Sequence, residues 1–185
     1  MTSVVDICNR ALIKIGADTI TSLDEQTKEA RLCNTLYDMI RKELLRSHPW
    51  NFAIKRLVLA ADLTVPEFGY DWQYPLPTDC LRILHMYDSG YPFKVEGRFL
   101  LTDEVQVAAV YIANITDTEQ FDALFVSLLV CRLAVEMGYS ITGATFIAQG
   151  LKEELAQLRK DAKLFDAQEG SPDELPDGDW LGSRK

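Results

Sequence analysis

The chain is poor in the residue types and motifs on which most enzymes depend. Its 185 residues include only two histidines, His48 and His85, and neither has the HExxH or Cys/His spacing of a metal site. There is no GxSxG nucleophile elbow and no glycine-rich phosphate loop. These absences exclude the common signatures of zinc, serine-nucleophile and nucleotide-binding enzymes. We predict that His48 lies at a helix end and contacts the helix dipole, and that His85 is a partly exposed strand residue.

Cysteine is also sparse, and its spacing excludes a disulfide framework or a zinc ribbon. The four cysteines lie 25, 47 and 51 positions apart and form no CxxC pair. We expect them to be reduced and mostly buried in a protein made in a cytosol. The first residues carry no cationic stretch followed by a long apolar run, so we expect no export by the standard route.

Basic charge is scarce, which argues against a nucleic-acid-binding surface. The net charge is −9, from 19 Lys and Arg against 28 Asp and Glu. Residues 1–60 carry +2, residues 61–115 carry −5 and residues 116–185 carry −6. Because DNA binding requires cations that neutralise phosphates, we expect the chain not to bind nucleic acid tightly, although it can still lie beside it.

What remains is the composition of an ordinary globular protein, 48% hydrophobic and 25% charged. Ser3 and Asp6 predict a capped first helix that ends at Gly16. Ser22 and Glu25 have the spacing of a second capping box. The apolar stripe of the second helix runs to about residue 47, before Pro49, and contains Ala30, Cys33, Tyr37, Ile40 and Leu44.

Two further helices follow in the second half of the chain. Asp117 or Thr118 is expected to cap the third, which is apolar through residue 137, and Gly138 to end it. Because this helix is so apolar, we expect it to be buried on several sides. We also expect one of its faces to contact a neighbouring subunit. Thr142 is expected to start the fourth helix, whose apolar stripe contains Leu151, Leu155, Leu158, Ala162 and Phe165.

Between residues 54 and 115, the spacing of apolar residues changes from the period of a helix to that of a β-strand. Strand segments are expected at about 57–59, 70–74, 81–86, 93–101 and 105–112, with a tight hairpin at Gly97. We therefore predict an α+β fold, mainly α: a bundle of about four helices with an inserted β meander and an extended C-terminal tail. Residues 1–168 form one domain, with the β insertion at about 54–115.

Residues 169–185 have the composition of a partner-binding tail. The segment has five acidic residues and two basic ones, and its Pro and Gly content predicts that it does not fold alone. It nevertheless carries apolar residues that a solvated tail does not need. We predict that it binds a groove on another chain through Leu175, Trp180, Leu181 and Arg184. The alternative is that Trp180 folds back onto the last helix of its own subunit.

Carboxylate pairs are the one catalytic arrangement that the motif search leaves open. Glycoside hydrolysis needs only two carboxyl groups that meet in space. Glu25 with Glu29, or Asp103 with Glu104, are candidates, although solvated faces and turns explain both pairs better.

An aromatic group at Tyr70, Trp72 and Tyr74 has two interpretations. It could be a platform for a sugar or a base. Its alternation with polar residues favours a sheet face or a subunit contact instead.

Several motifs together resemble the tail tubular protein A family, the head-to-tail adaptors of short-tailed bacteriophages. The most specific combination is an Ala-Leu-x-x-Ile-Gly helix end followed, at the observed separation, by Trp-Asn-Phe. The matching segments are 9–16 (NRALIKIG), 20–24 (ITSLD), 47–53 (SHPWNFA), 74–82 (YPLPTDCLR), 95–98 (VEGR) and 177–180 (DGDW).

The resemblance implies a structural protein of the virion without catalytic residues, metal or cofactor. It implies a ring, commonly of twelve copies, that lies beneath the portal protein and above the tail nozzle protein at the head–tail junction. It also implies that double-stranded DNA passes through the ring without specific binding, and that the protein is in the host cytoplasm during assembly. An acidic body fits such a channel because it offers few cationic sites to phosphates.

Two other functions are open from the residues alone. One is a virion-associated hydrolase of cell-wall glycan that uses a carboxylate pair as acid and base. The other is a host-encoded helical interaction module with an unknown partner.

Overall fold

Over the residues that the structure describes, the fold is mixed α+β, with four helices and two small antiparallel sheets. The structure is a computed structural model that describes residues 2–87, 90–143 and 145–168, with the backbone alone at 145–148. The helices are α1 (Val4–Lys14), α2 (Lys28–Ser47), α3 (Ala123–Thr142) and α4 (Thr145–Gln168).

The starts of the first two helices follow from local capping chemistry. Ser3 caps α1 as predicted: its hydroxyl accepts from the Asp6 N–H, and the Asp6 carboxylate accepts from the Ser3 N–H. The prediction that Ser22 and Glu25 start α2 is wrong, because Thr27 caps that helix. The Glu25 carboxylate instead accepts from the backbone of Thr21 and Ser22, which closes a turn ahead of the helix.

The boundary between α3 and α4 also differs from the sequence prediction. Asp117 caps a short 3-10 turn (Thr118–Gln120), and Asp122 caps α3 itself. Gly138 does not end α3; it is buried inside the helix, beside Ile15 of the segment after α1. The helix continues through Thr142, which therefore cannot start α4, and ends at Gly143, whose φ of 68° suits glycine.

Helix α3 is the centre of the helical part and packs against α1, α2 and α4. Its length and its mean hydropathy of 1.7 would also suit a membrane span, yet 56% of that stretch is buried inside the protein. The expectation that α3 leaves an apolar face for a neighbouring subunit is wrong. Its side chains from Phe125 to Met137 are almost all covered by the same chain, because three helices surround it.

Six strands within the described ranges form two three-stranded sheets rather than the single meander predicted. They are β1 (Ile54–Leu59), β2 (Trp72–Pro75), β3 (Cys80–Met86), β4 (Phe93–Glu96), β5 (Phe99–Thr102) and β6 (Val107–Ala113). One sheet has the order β1-β6-β3 and the other β2-β5-β4, all antiparallel. Only β4 and β5 are neighbours in both chain and sheet, joined by the predicted hairpin at Gly97.

The two sheets share a small apolar core that is separate from the helical core. Strand β6 bridges the two cores, because Val107 and Ala109 lie in the small core whereas Ile112 packs into the helical core. The other buried members of the small core are Leu59, Tyr74, Met86 and Leu100.

Trp50 lies where α2, the first strand and α3 meet. Its side chain is 1% exposed, and its indole N–H donates to the Leu44 carbonyl at 2.9 Å. Its ring packs edge-on against Phe125 at 5.3 Å and beside Phe52 at 6.3 Å between centroids. The Trp-Asn-Phe motif therefore joins the end of α2 to the start of α3 through aromatic packing.

We expect Trp50→Ala to lower the free energy of unfolding by about 3–5 kcal/mol, because it leaves a cavity in the shared core. Chemical denaturation followed by far-UV circular dichroism measures the change. The matched control is Phe68→Ala at an aromatic side chain that is 89% exposed, which should shift stability by no more than about 0.5 kcal/mol. Equal stability of Trp50→Ala and wild type would contradict the assignment of Trp50 to the core.

Candidate interaction surfaces

The residues predicted to bind a partner, Leu175, Trp180, Leu181 and Arg184, lie outside the described residues. The candidate surfaces are therefore built from residues 2–168. Within that range, the segments that carry the family resemblance can be placed one by one, and each has a tertiary contact.

The first such segment is fastened to the connector that follows it. The Asn9 amide donates to the Ile20 carbonyl at 2.8 Å and accepts from the Ile20 N–H at 2.8 Å. This two-way bond holds the chain after α1 and carries Ile20 into the core, where it is 4% exposed. The Asn9 side chain therefore holds the backbone of the connector at Ile20 in place.

The Trp-Asn-Phe segment is fastened to the end of α4. The Asp166 carboxylate accepts from the Asn51 N–H at 2.9 Å, and the Asn51 amide donates to the Asp166 carbonyl at 2.6 Å. The other oxygen of that carboxylate lies 2.9 Å from Nε2 of His48, the residue that caps α2. His48 lies at the helix end as predicted, and its ring contact with Asp166 ties α2 to α4.

The hairpin signature holds the strand signature in the same way. The Arg98 guanidinium donates to the carbonyl oxygens of Cys80, at 3.2 Å, and of Pro77. The Leu76 N–H donates back to the Arg98 carbonyl at 2.8 Å. These bonds fasten the β4–β5 hairpin to the turn before β3.

No protein-family model matches this chain, and no curated protein matches it. The family resemblance therefore rests on the motifs themselves. Their residues at positions 9, 51 and 98 bond to backbone groups elsewhere in the chain and hold those segments in place.

Among the candidate carboxylates, Glu25 does not have the setting of a glycosidase acid. The hydroxyl and backbone N–H groups around Glu25 lower its pKa below the ordinary glutamate value, whereas a general acid needs a raised pKa. In the second pair, the Asp103 carboxylate accepts the Asp71 N–H at 3.0 Å. Glu25 closes a local turn, and Asp103 joins the chain before β2 to the chain after β5.

Within residues 2–168, with the gaps stated above, no group of three or more His, Cys, Asp or Glu side chains is placed to hold a metal ion. The four cysteines are free and buried as expected, and burial raises the pKa of Cys131 to about 11. His85 is exposed on β3.

The aromatic group at residues 70–74 is divided between the core and its edge. Tyr74 is 1% exposed, and its hydroxyl donates to the Glu104 carbonyl at 2.7 Å. Trp72 and Tyr70 are half-buried. Because the Tyr74 ring is inside the core, the three rings do not form one open platform, which favours the sheet-face interpretation.

The exposed apolar surface is concentrated in the β part of the molecule. Of the 14 large hydrophobic side chains exposed within the described residues, nine lie between residues 54 and 115. These nine are Leu57, Val58, Leu63, Val65, Phe68, Tyr87, Tyr91, Val95 and Val105.

The two most exposed of them, Leu63 and Phe68, lie with Val65 on the loop between β1 and β2, which we call the β1–β2 loop (residues 60–71). Leu63 is fully exposed, Phe68 is 89% exposed and Val65 is 54% exposed. The sequence analysis did not single out this loop. The available signal was isolated apolar residues between Asp, Pro and Gly, with no strand or helix period to bury them.

A shallow apolar depression lies nearby on the first sheet. It has a volume of about 340 Å³, and its exposed rim includes Leu57 and Val58 of β1 and Tyr87 after β3. Strand β1 is at the edge of this sheet within the described residues. Such an edge with apolar side chains is a site where another chain can pack.

The pKa of His48 predicts how the stability of the protein depends on pH. Burial lowers its pKa below the ordinary value, and the hydrogen bond to Asp166 opposes part of that effect. The folded protein therefore binds this proton less readily than the unfolded chain, whose histidine pKa is about 6.5. Stability should fall as pH decreases through that value.

Thermal unfolding at several pH values between about 7.5 and 5.5 tests this, on either side of the ordinary histidine pKa. We expect His48→Gln to lose less stability than wild type across this range. The matched control, His85→Gln, changes the exposed histidine and should keep the wild-type slope. An unchanged slope in His48→Gln would assign the pH dependence to other groups.

Proposed function

We propose that this protein is a structural head-to-tail connector of a tailed bacteriophage. In this proposal it forms a ring, with twelve copies expected, between the portal protein and the tail nozzle protein. DNA passes through the ring without specific binding, and the protein enters the virion from the host cytoplasm. The proposal includes the finer fold description, in which a four-helix bundle carries the β insertion and an extended tail.

The observation that carries the proposal is the concentration of exposed apolar side chains in the β part. Burial of Leu63 and Phe68 against a partner would remove apolar surface from water. Helix α3, in contrast, is already covered within one chain. The β part is therefore our candidate for the contact with neighbouring copies or with the nozzle protein, and the helical part for the rigid body of each subunit.

The chemistry of the motifs supports a structural role. Asn9, Asn51 and Arg98 each use their side chains to bond backbone groups elsewhere in the chain. Of the carboxylates proposed for hydrolysis, Glu25 closes a turn and has a lowered pKa, and Asp103 accepts the backbone N–H of Asp71. No observation on the described residues favours the hydrolase over the connector.

We expect the isolated protein to be mainly monomeric at micromolar concentration and to form rings only on a portal. Premature self-assembly would compete with docking, and a template can align the apolar β parts of adjacent copies. Sedimentation velocity measures the free state, and negative-stain electron microscopy of a mixture with the candidate portal protein measures the bound state. Stable rings of the protein alone would contradict templated assembly, and an unoccupied portal would contradict the connector function.

Loop variants separate assembly from folding in the same experiment. Leu63→Ser with Phe68→Ser should leave the melting temperature nearly unchanged, because both side chains are exposed in the monomer. The variant should form fewer rings on the portal. The matched control is Ile13→Ser with Met39→Ser, at exposed apolar positions on the helical part, which should assemble like wild type.

We expect deletion of residues 171–185 to abolish co-sedimentation with portal rings while the monomer's melting temperature stays nearly unchanged. The deleted segment carries Leu175, Trp180, Leu181 and Arg184, the proposed portal contacts. A control with Trp180→Ala alone tests whether the aromatic anchor supplies most of the affinity. Portal binding retained after the deletion would move the docking surface to residues 1–170.

A further inference from the structure

A basic groove runs along α4 in this otherwise acidic protein. The groove has a volume of about 610 Å³, and its apolar floor includes Leu155 and Ala156. Among the described residues, its charged lining comprises Arg132, Lys152, Arg159, Lys160 and Lys163, together with the carboxylate of Glu43. We call this surface the α4 groove.

The cations of the α4 groove differ in whether their charge is already balanced. Arg132 of α3 pairs with Glu43 of α2 at 3.4 Å and also with Glu136. Within the part of the chain that the structure describes, the other four cations form no ion pair. Four like charges on one helix stripe repel one another, and an acidic occupant would relieve that repulsion.

We propose that the α4 groove binds the acidic segment at residues 169–179 of the same chain. This segment follows α4 directly and contains five carboxylates and no cation: Glu169, Asp173, Glu174, Asp177 and Asp179. Its apolar residue, Leu175, matches a groove floor that contains Leu155. The segment thus offers both the charge and the apolar contact that the groove lacks.

Chain length permits this docking within one molecule. Lys160 lies eight residues before the end of α4, a distance of about 12 Å along a helix, and Lys152 lies about 24 Å from that end. An extended chain reaches about 16 Å by Asp173 and about 36 Å by Asp179. A turn at Gly170 and Pro172 uses part of that reach, so it would bring Asp173 near Lys163 and Asp179 beside Lys152.

Docking in the same chain is favoured over docking of a separate molecule. Each exposed ion pair contributes little alone, but a short tether gives the segment a local concentration on the order of millimolar. The antiparallel path would place Trp180 just beyond Lys152, in the N-terminal half of α4. The inference concerns the free chain and goes beyond the connector function, because it holds whether or not the segment later binds a portal.

Paramagnetic relaxation enhancement, measured by NMR on the full chain, tests the proposal. A nitroxide is attached at Gly178→Cys, and the four native cysteines are buried and so protected from the reagent. We expect the amide signals of residues 149–156 to lose most of their intensity, independently of protein concentration. The loss should disappear at about 1 M salt, where the screening length falls to about 3 Å.

A groove variant and a control variant make the test specific. Lys152→Gln, Arg159→Gln and Lys160→Gln together should restore those signals. Arg10→Gln, Arg31→Gln and Lys42→Gln together change the net charge equally at exposed positions of α1 and α2, and should leave the signal loss intact. The melting temperature of each triple variant checks that the helices remain folded.

Three results would overturn the proposal. Signal loss confined to residues 164–168 would show an undocked segment near its attachment point, and the groove would then be open to an external polyanion. Signal loss that grows with protein concentration would show that the occupant is a second copy. Signal loss that persists in the groove variant would place the segment on another surface.

Discussion

The packing around Trp50 is the contact on which the remaining tertiary structure depends. Its ring lies between the end of α2 and the start of α3, and neighbouring residues of the same segment bond to Asp166 at the end of α4. Three helices are thus positioned by one seven-residue stretch. Because the chain enters β1 directly after it, the same stretch also sets where the first sheet begins.

A buried arginine provides the second connection between the helical part and the β part. Arg41 is 1% exposed on α2 and donates to the Asn114 side chain at 2.8 Å and to the Ile115 carbonyl, both just after β6. Asp38 supplies a partial counter-charge at 3.2 Å. A buried guanidinium needs such partners, so its bonds fix how the last strand leaves the sheet.

In the proposed connector, the helical part would be the stable body of each subunit, and the apolar β surface would make the contacts between subunits. Helix α3 is covered on several sides and gives each subunit a stable body. The β1–β2 loop and the edge of the first sheet present apolar side chains to solvent. If these surfaces contact neighbouring copies, assembly requires no rearrangement of the helical core, and the α4 groove is free to hold an acidic segment.

Local sequence signals were enough to predict the four helices, the stripe from Ala30 to Leu44 and the hairpin at Gly97, because these depend on capping, on side-chain spacing and on a turn glycine. Tertiary structure decided the rest. Gly138 continues α3 because packing against Ile15 outweighs its tendency to end a helix. The division into two sheets depends on non-local strand pairing, which spacing does not encode. The α4 groove likewise exists only because α2 and α3 place Glu43 and Arg132 beside the cations of α4.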